Sequence, residues 1–247
     1  MNVFIIGGTS GIGLALAYFY QQNGHRVGIC GRDLRKLTCE SPFEKYKVNV
    51  IDKELLASTI RQFVGTGTLS LLINCAGSYA EDVVEEISYN DAVMMLQTNI
   101  IGAINTLEIG RELMACSGGQ IALLASISGI LDYPQSSLYT KTKRSVLQIA
   151  DAYSRALRPL DIHITAIAPG YVATQKLYEL NQNNLSKKPF LVSEARAVVE
   201  ISEAIAQKKA LHLFPTRMKW LMRLLSSLPK PLLSLFMYRK AKWMQNN

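Results

Sequence analysis

The sequence predicts an α/β protein with a doubly wound, central parallel sheet of seven strands flanked by helices. Three observations support this. Short, continuous apolar runs alternate with amphipathic stretches, as in parallel strands that helices cover on both faces. A glycine-rich turn separates the first apolar run from the first helical stretch. The length of 247 residues and the hydrophobic content of 49% suit one large, well-packed domain.

Each element follows from its local residue pattern and from the residues at which it begins or ends. The seven apolar runs predict strands at residues 3–6, 27–30, 46–50, 69–74, 120–125, 162–168 and 211–214. Helical spacing predicts helices from Gly11 to about 23, at 33–37, from the N-cap Asp52 to 64, at about 88–114, at about 135–157 and at 193–207. Strands and helices in this order are typical of a Rossmann-type fold.

The net charge of +8 belongs to the C-terminal part of the chain. Nine basic and no acidic residues lie between Lys208 and Asn247, whereas residues 1–207 carry 18 basic and 19 acidic residues. This nearly neutral body argues against a nucleic-acid partner. We therefore predict a single Rossmann-type domain over residues 1–215 and a basic amphipathic C-terminal helical extension over 216–247.

The extension predicts a helix that Thr216 caps and that runs to about Leu228, before Pro229-Lys230-Pro231 interrupts it. Lys219 and Arg223 share one face, and a wide apolar arc fills the rest. Such a helix can lie on an anionic membrane surface. Contact with a neighbouring subunit or with the chain's own body explains the pattern equally well.

Cysteine usage and the termini indicate a cytoplasmic protein. The four cysteines form no C-x-x-C pair and show no metal-ligand spacing, so we expect neither a disulfide framework nor a metal site. The first strand begins too early for a signal peptide, and no apolar stretch reaches the ~18 residues that span a bilayer. Membrane association through the C-terminus remains the open alternative.

The turn after the first strand reads Gly7-Gly8-Thr9-Ser10-Gly11-Ile12-Gly13 and leads into a helix. Small residues let backbone N–H groups approach a pyrophosphate, and the helix N-terminus adds partial positive charge. A purely structural tight turn is the alternative interpretation. The position between the first strand and the first helix favours a dinucleotide site.

The second strand ends at Cys30-Gly31-Arg32 and lacks the carboxylate that often binds the ribose hydroxyls of NAD. A guanidinium can instead bind a 2′-phosphate bidentately. Arg32 therefore favours NADP(H) over NAD(H), although a solvated loop arginine would give the same sequence.

Tyr139 and Lys143 stand at positions i and i+4, on one face of the predicted helix at 135–157. An ammonium near a phenol should lower the pKa of the tyrosine and suit it to proton transfer. Ser126 lies thirteen residues before Tyr139 at the carboxyl edge of the sheet, where its hydroxyl can donate to a carbonyl. Ser128 is close by, but the spacing favours Ser126.

Taken together, these motifs resemble the short-chain dehydrogenase/reductase family from residue 2 to about residue 215. The glycine turn, the Ser126–Tyr139–Lys143 trio and four further positions carry the resemblance. Asn74-Cys75-Ala76-Gly77 matches N-N-A-G with Cys75 in place of the second asparagine, Asn99 matches N-x-x-G, and Pro169-Gly170-Tyr171-Val172-Ala173-Thr174 matches P-G-x-V-x-T. Asn49-Val50 stands where the family usually has Asp-Val.

The resemblance implies a role for each matched position. Tyr139 would be the general acid in carbonyl reduction or the base in alcohol oxidation, and Ser126 would polarise the carbonyl. Lys143 would hold the nicotinamide ribose and lower the pKa of Tyr139, and Asn99 would anchor a water that relays protons. The implied cofactor contacts are Gly7, Thr9, Ser10, Gly11, Ile12, Gly13, Arg32, Asn49, Val50, Asn74, Ala76, Gly77, Tyr139, Lys143, Pro169, Gly170, Val172 and Thr174.

The implied function is an NADP(H)-dependent oxidoreductase that transfers a hydride between the nicotinamide and a small-molecule carbonyl or secondary alcohol. By analogy with the family, a homodimer or homotetramer is expected. The alternative is a non-catalytic nucleotide-binding or regulatory protein of the same fold. Residues 175–192 would cover the substrate, whose identity the sequence does not reveal.

Overall fold

The computed structural model describes residues 1–35, 37, 41–80, 87–134, 136–186 and 188–235. The strands are β1 Asn2–Ile6, β2 Arg26–Gly31, β3 Glu44–Lys47, β4 Leu71–Asn74, β5 Gly119–Leu124, β6 Ile162–Pro169 and β7 Leu211–Phe214. The helices are α1 Gly11–Gln22, α2 Lys53–Val64, α3 Tyr89–Leu96, α4 Gly102–Met114, α5 Leu138–Leu157, α6 Gln175–Leu180, α7 Glu194–Ala206 and α8 Thr216–Ser226. A π-helical segment, Gln97–Ile101, joins α3 to α4.

All seven strands form one parallel sheet in the order β3-β2-β1-β4-β5-β6-β7. The strand order reverses between β1 and β4, so the connections leave these strands towards opposite faces. A crevice outside the carboxyl ends of β1 and β4 is where doubly wound sheets bind ligands. The doubly wound, Rossmann-type fold predicted from the sequence is confirmed.

The core consists of two layers, one on each face of the sheet. In β1, Phe4 and Ile6 pack into the layer beneath α2, α4 and α5, and Val3 and Ile5 pack into the layer beneath α1 and α7. Because both faces are covered, every second residue is apolar on each side. This explains why the sequence shows continuous apolar runs instead of alternation.

Two predicted elements are wrong in place or type. The third strand lies at Glu44–Lys47 instead of 46–50, because its pairing with β2 ends there: Val48 adds one N–H bond to the carbonyl oxygen of Gly31 (3.1 Å), and Val50 is buried by packing on α4. The predicted helix at 33–37 is a turn in its described residues, where the Asp33 carboxylate accepts hydrogen bonds from the backbone and side chain of Arg35. Residue 36 lies outside the described residues.

The boundaries of the other helices agree better with the structure than the two elements above do. Asp52 caps α2, accepting a hydrogen bond from the backbone N–H of Leu55, and Ser193 caps α7 in the same way. The single long helix predicted at 88–114 is interrupted by the π segment. The helix α5 begins at Leu138, and residue 135 of its predicted start lies outside the described residues. The helix α6 was not predicted.

The C-terminal extension packs on the domain. Pro215, not Thr216, is the N-cap of α8, which ends at Ser226, and residues 230–235 are helical again. Met218, Met222 and Leu225 form a small core with Ile127 and Leu131. Residues 236–247 of the predicted extension lie outside the described residues. Within the described residues, no helix is long and apolar enough to cross a membrane.

Candidate active site

The glycine turn lies against the loop that follows β4. Gly7 has a φ of +74°, and a Cβ atom there would lie 2.6 Å from the backbone nitrogen of Ala76. A Cβ atom on Gly13 would overlap the carbonyl oxygen of Gly7 and lie 3.1 Å from the Cβ of Cys75. Only glycine allows the turn, the start of α1 and this loop to approach so closely.

The N-terminus of α1 opens into the same crevice. Ser10 has an extended backbone and makes no side-chain capping bond, and the first turn of α1 contains no acidic residue. The N–H groups of that turn therefore suit an anion. Thr9 packs on Gly31, since a Cβ on Gly31 would lie 2.7 Å from the Thr9 hydroxyl oxygen, and Ile12 packs against the core.

Arg32 lies at the end of β2, directly after the glycine on which Thr9 packs. Its guanidinium is exposed, with Nη1 3.7 Å from the sulfur of Met94. The structure thus places a cation beside the glycine turn, as the sequence predicts.

Asn74 holds the loop after β4 in place with its own side chain. Its Nδ2 donates to the carbonyl oxygen of Gly102 (3.2 Å) and to the hydroxyl of Thr106 (2.8 Å), and its Oδ1 accepts from the N–H of Ala76 (2.9 Å). The Asn74 amide therefore contacts protein groups, and the loop behind it presents Gly77 to the site. A Cβ on Gly77 would lie 3.2 Å from Lys143 Nζ.

Val50 and Asn49 lie in the turn before α2. Val50 is buried against α4, where a Cβ on Gly102 would lie 2.8 Å from Val50 Cγ1. Asn105 donates its amide to the carbonyl oxygens of Val50 (3.0 Å) and Ile51 (3.2 Å) and so fixes this turn. Asn105 was not predicted from the sequence. Its role could have been inferred because Asn105 and Thr106 are polar residues in an otherwise apolar part of the helix.

Asn99 lies in the π segment, where the regular helical hydrogen-bond ladder is interrupted, a feature frequent at functional sites. Asn99 is buried, with only 2% of the residue exposed. Both polar atoms of its side chain form hydrogen bonds. Oδ1 accepts from the N–H of Ser78 (2.8 Å), and Nδ2 donates to the carbonyl oxygen of Ser78 (3.0 Å) and to Thr142 Oγ1 (3.0 Å). Asn99 thus ties α5 to the loop after β4.

Ser126 and Tyr139 meet at the carboxyl edge of β5, where a hydrogen bond joins their hydroxyls. Ser128 donates its backbone N–H (3.2 Å) and its hydroxyl (3.0 Å) to Ser126 Oγ. The structure therefore places Ser126, not Ser128, beside Tyr139 and gives Ser128 a supporting contact. The ring of Tyr79, which the sequence reading missed, packs edge-to-face on Tyr139 at 5.1 Å between centroids.

Lys143 lies one helical turn beyond Tyr139, with its ammonium buried. Its Nζ donates to the carbonyl oxygen of Leu124 (3.0 Å) and lies 5.8 Å from the centre of the Tyr139 ring. Burial lowers the pKa of Lys143 to about 8, while the nearby Cys75 thiol opposes that shift and Lys176 adds to it. The ammonium is thus held at the site by the backbone of β5.

The expected lowering of the Tyr139 pKa is not observed. Burial raises the pKa of Tyr139 to about 12, and the hydrogen bond from Ser126 lowers it only in part; Tyr79 and Tyr171 raise it further. Desolvation favours the neutral phenol more strongly than its neighbours favour the phenolate. The side chain is accordingly a proton donor at neutral pH.

The loop after β6 links the glycine turn to the C-terminal extension. The N–H of Gly170 donates to the carbonyl oxygen of Phe214 (2.8 Å), and a Cβ there would lie 2.6 Å from the sulfur of Met218. Val172 is buried and pairs with Val192. The two ends of the segment between them therefore lie next to each other. Thr174 caps α6 and approaches Gly11 with its methyl group.

The sequence matches a family model described as "short chain dehydrogenase" over residues 1–185. The chain belongs to the short-chain dehydrogenase family. The curated relatives that the chain resembles are named as reductases or oxidoreductases. A mouse 3-oxoacyl-[acyl-carrier-protein] reductase is 24% identical over 207 residues, covering 81% of this chain and 87% of the relative. An uncharacterized oxidoreductase of Staphylococcus aureus (strain USA300) is 28% identical over 200 residues, covering 77% and 87%.

Solved structures share the fold. The structure described as ElxO with NADP bound superposes with a TM-score of 0.76 at 25% identity, covering 86% of this chain and 96% of that one. A short chain dehydrogenase from Burkholderia cenocepacia J2315, in complex with NADP, superposes with a TM-score of 0.79 at 18% identity and covers 92% of each chain. The second similarity concerns the fold alone.

Proposed function

We propose that this short-chain dehydrogenase is an NADP(H)-dependent oxidoreductase that acts on a carbonyl or secondary alcohol, with Tyr139 as its acid and base. The observation that carries the proposal is the hydrogen bond between Ser126 and Tyr139 beside the buried Lys143 ammonium. A non-catalytic protein would have no need for this arrangement of three chemically matched groups. The structure described as ElxO with NADP bound, 25% identical to this chain, supports the choice of cofactor.

The residues present fit a dinucleotide. Gly7 and Gly13 let the turn, the start of α1 and the loop after β4 pack closely, so the first turn of α1, which no side chain caps, forms a cradle of N–H groups for a group outside the chain. The first turn of α1, with Thr9, Ser10, Gly11 and Ile12, would hold the pyrophosphate, and Arg32 a 2′-phosphate. The remaining proposed contacts are Asn49, Val50, Asn74, Ala76 and Gly77 on the adenine side and Lys143, Pro169, Gly170, Val172 and Thr174 on the nicotinamide side.

When bound, the cofactor supplies the hydride chemistry, and the chain manages the proton. In the direction of reduction, neutral Tyr139 donates its phenolic proton to the developing alkoxide. Ser126 donates a hydrogen bond to the same oxygen and so stabilises the charge that forms there. Lys143 holds positive charge next to Tyr139, and Asn99 keeps α5 and the loop after β4 in register.

The substrate side of the site is partly apolar. Ile127 and Leu131, which follow Ser126 in the chain, pack with Tyr133 and Tyr171 in one cluster. We propose a small-molecule substrate with an apolar portion next to its carbonyl. The relatives named as 3-oxoacyl-[acyl-carrier-protein] reductases make acyl carbonyls one class to include among aldehydes, ketones and quinones when substrates are screened by NADPH consumption.

The decisive variant is Tyr139→Phe, which removes one hydroxyl and retains the ring contacts. We expect turnover to fall by about 10² to 10⁴, while NADPH affinity, from a fluorescence titration, stays within about threefold. Tyr153→Phe is the matched control, since it removes a hydroxyl from the same helix that bonds to Glu108 at 2.6 Å. Turnover in Tyr139→Phe equal to that of the control would exclude the proposal. Binding of NADPH without turnover of any substrate by the wild-type protein would favour the non-catalytic alternative.

The cofactor preference is tested by Arg32→Ala. Loss of a bidentate contact to a 2′-phosphate should weaken NADPH by about tenfold or more and leave NADH nearly unchanged. Arg35→Ala is the control, because Arg35 is another exposed arginine, three residues on, and pairs with Asp33. Equal losses for NADPH and NADH in Arg32→Ala would remove the preference.

We further propose a homodimer or homotetramer formed through the long helices α4 and α5 and the segments next to them. Leu96 and Ile101, at the junction of α3, the π segment and α4, are 41% and 46% exposed, as expected for apolar residues reserved for a subunit contact. Light scattering should give a multiple of the 27.4 kDa chain mass. A monomeric mass at micromolar concentration would contradict this.

A further inference from the structure

The C-terminal extension has a buried and an exposed apolar side. Met218, Met222 and Leu225 occupy positions i, i+4 and i+7 of α8 and pack on the domain. Five other large apolar side chains among residues 216–235 are at least 36% exposed, three on α8 and two on the stretch 230–235. We call these the outer face: Trp220 (61% exposed), Leu224 (67%), Leu221, Leu232 and Leu235. Leu228 and Leu233 also pack in this small core, so packing against the domain covers five of the ten large apolar side chains among residues 216–235.

Basic side chains flank the outer face. Arg217, Lys219 and Arg223 belong to the same helix, and none forms an ion pair with another described residue. The Arg223 guanidinium lies 5.1 Å from the centre of the Trp220 ring, which fixes a cation beside the largest exposed apolar group. Lys230, the first residue of the second helical stretch, pairs with Asp132.

We propose that the outer face docks on the surface of an anionic lipid bilayer. Leucines would enter the boundary between headgroups and acyl chains, and Trp220 would take the interfacial depth that tryptophan prefers. The three basic side chains would meet the lipid phosphates. The sequence continues the same charge pattern, because no acidic residue occurs from Lys208 to the C-terminus.

A second copy of the chain fits this surface poorly. A two-fold contact sets the outer face of one subunit against the outer face of the other, so it would bring two basic patches together, and α8 has no acidic residue to pair with Arg217, Lys219 or Arg223. A nucleic acid would satisfy the cations but leave the leucines without an apolar partner. A membrane surface satisfies both, and this distinguishes the three occupants.

Co-sedimentation of the full chain with vesicles tests the proposal. We expect binding to vesicles of phosphatidylcholine with phosphatidylglycerol, weak binding to phosphatidylcholine alone, and release by salt. Trp220→Ser with Leu224→Ser should weaken vesicle binding at least tenfold, about the effect of withdrawing two large apolar groups from the interface. Arg217→Gln and Lys219→Gln should each weaken it about fivefold.

Leu55→Ser with Val199→Ser is the control, since it removes two exposed apolar side chains from α2 and α7. Thermal melting and NADPH affinity establish that every variant is folded, so a failure of docking is separable from a failure of the proposed function. Equal binding to both vesicle types, or equal binding by the outer-face and control variants, would overturn the proposal. A change of oligomer mass in the outer-face variant, or stronger binding to random duplex DNA than to vesicles, would overturn it as well.

Discussion

Gly129 controls the distance between Ser126 and Tyr139. It lies in the short 3₁₀ turn Ile127–Ile130, which begins directly after Ser126. In this turn Gly129 packs on the backbone of α5 at Lys143 and Arg144. A Cβ atom at this position would lie 2.7 Å from the backbone nitrogen of Arg144 and 2.9 Å from the carbonyl carbon of Lys143. Since these neighbours are backbone atoms, they cannot move aside as a flexible side chain would.

The magnitude follows from this overlap. Ordinary contacts between a Cβ and another heavy atom begin near 3.4 Å, so Gly129→Ala must move the turn and α5 apart by about 0.7 Å. Ser126 is carried on the turn, and Tyr139 and Lys143 are carried on α5. A displacement on the order of 1 Å between reacting groups can cost about 10²-fold in rate, so we expect kcat to fall between about tenfold and 10²-fold.

The assay compares kcat, NADPH affinity and unfolding free energy in two alanine variants. Gly129→Ala should lose about 1–3 kcal/mol of stability through overpacking. Gly24→Ala, with a φ of +77° and no atom within 4 Å of the new Cβ, should lose about 1–2 kcal/mol through backbone strain alone. Only the first should lose turnover. If Gly129→Ala retains more than half of the wild-type kcat, the geometric reasoning is wrong.

Three further predictions concern the turn, the π segment and pH. Gly13→Ala should abolish NADPH binding in a fluorescence titration, because its Cβ would overlap the carbonyl of Gly7; retained affinity would contradict the assigned cradle. Asn99→Ala should lower the urea unfolding free energy by about 2–4 kcal/mol, since it leaves the buried backbone groups of Ser78 unpaired. A loss no greater than that of an exposed asparagine, such as Asn90→Ala in α3, would refute it. Because the pKa of Tyr139 is raised to about 12, the rate of alcohol oxidation should increase about tenfold for each unit of rising pH. This increase should hold up to about pH 8, the pKa of Lys143, while Lys143 keeps its proton. The rate of carbonyl reduction should not increase over the same range. A flat oxidation profile from about pH 6 to pH 8 would argue against Tyr139 as the base.

Local sequence signals were sufficient for most elements, and the reason is physical. The strand β7 and the cap Asp52 were predicted because continuous apolar runs and N-cap hydrogen bonds are properties of a few adjacent residues. The third strand was misplaced because the apolar run continues to Val50, whose burial depends on Gly102 of α4, far away in the chain. Helical spacing also continues through the π segment, so the sequence did not reveal it.

The sequence by itself determined the sheet, the glycine turn at its carboxyl edge and the candidate residues Ser126, Tyr139 and Lys143. Tertiary structure decided which groups share an environment. The pKa of Tyr139 was expected to be lowered by Lys143 and is raised, because desolvation depends on residues from several elements, among them Tyr79 and Tyr171. The same holds for the extension: its sequence is amphipathic all along, and only packing on Ile127 and Leu131 decides which apolar side chains are covered and which face outwards.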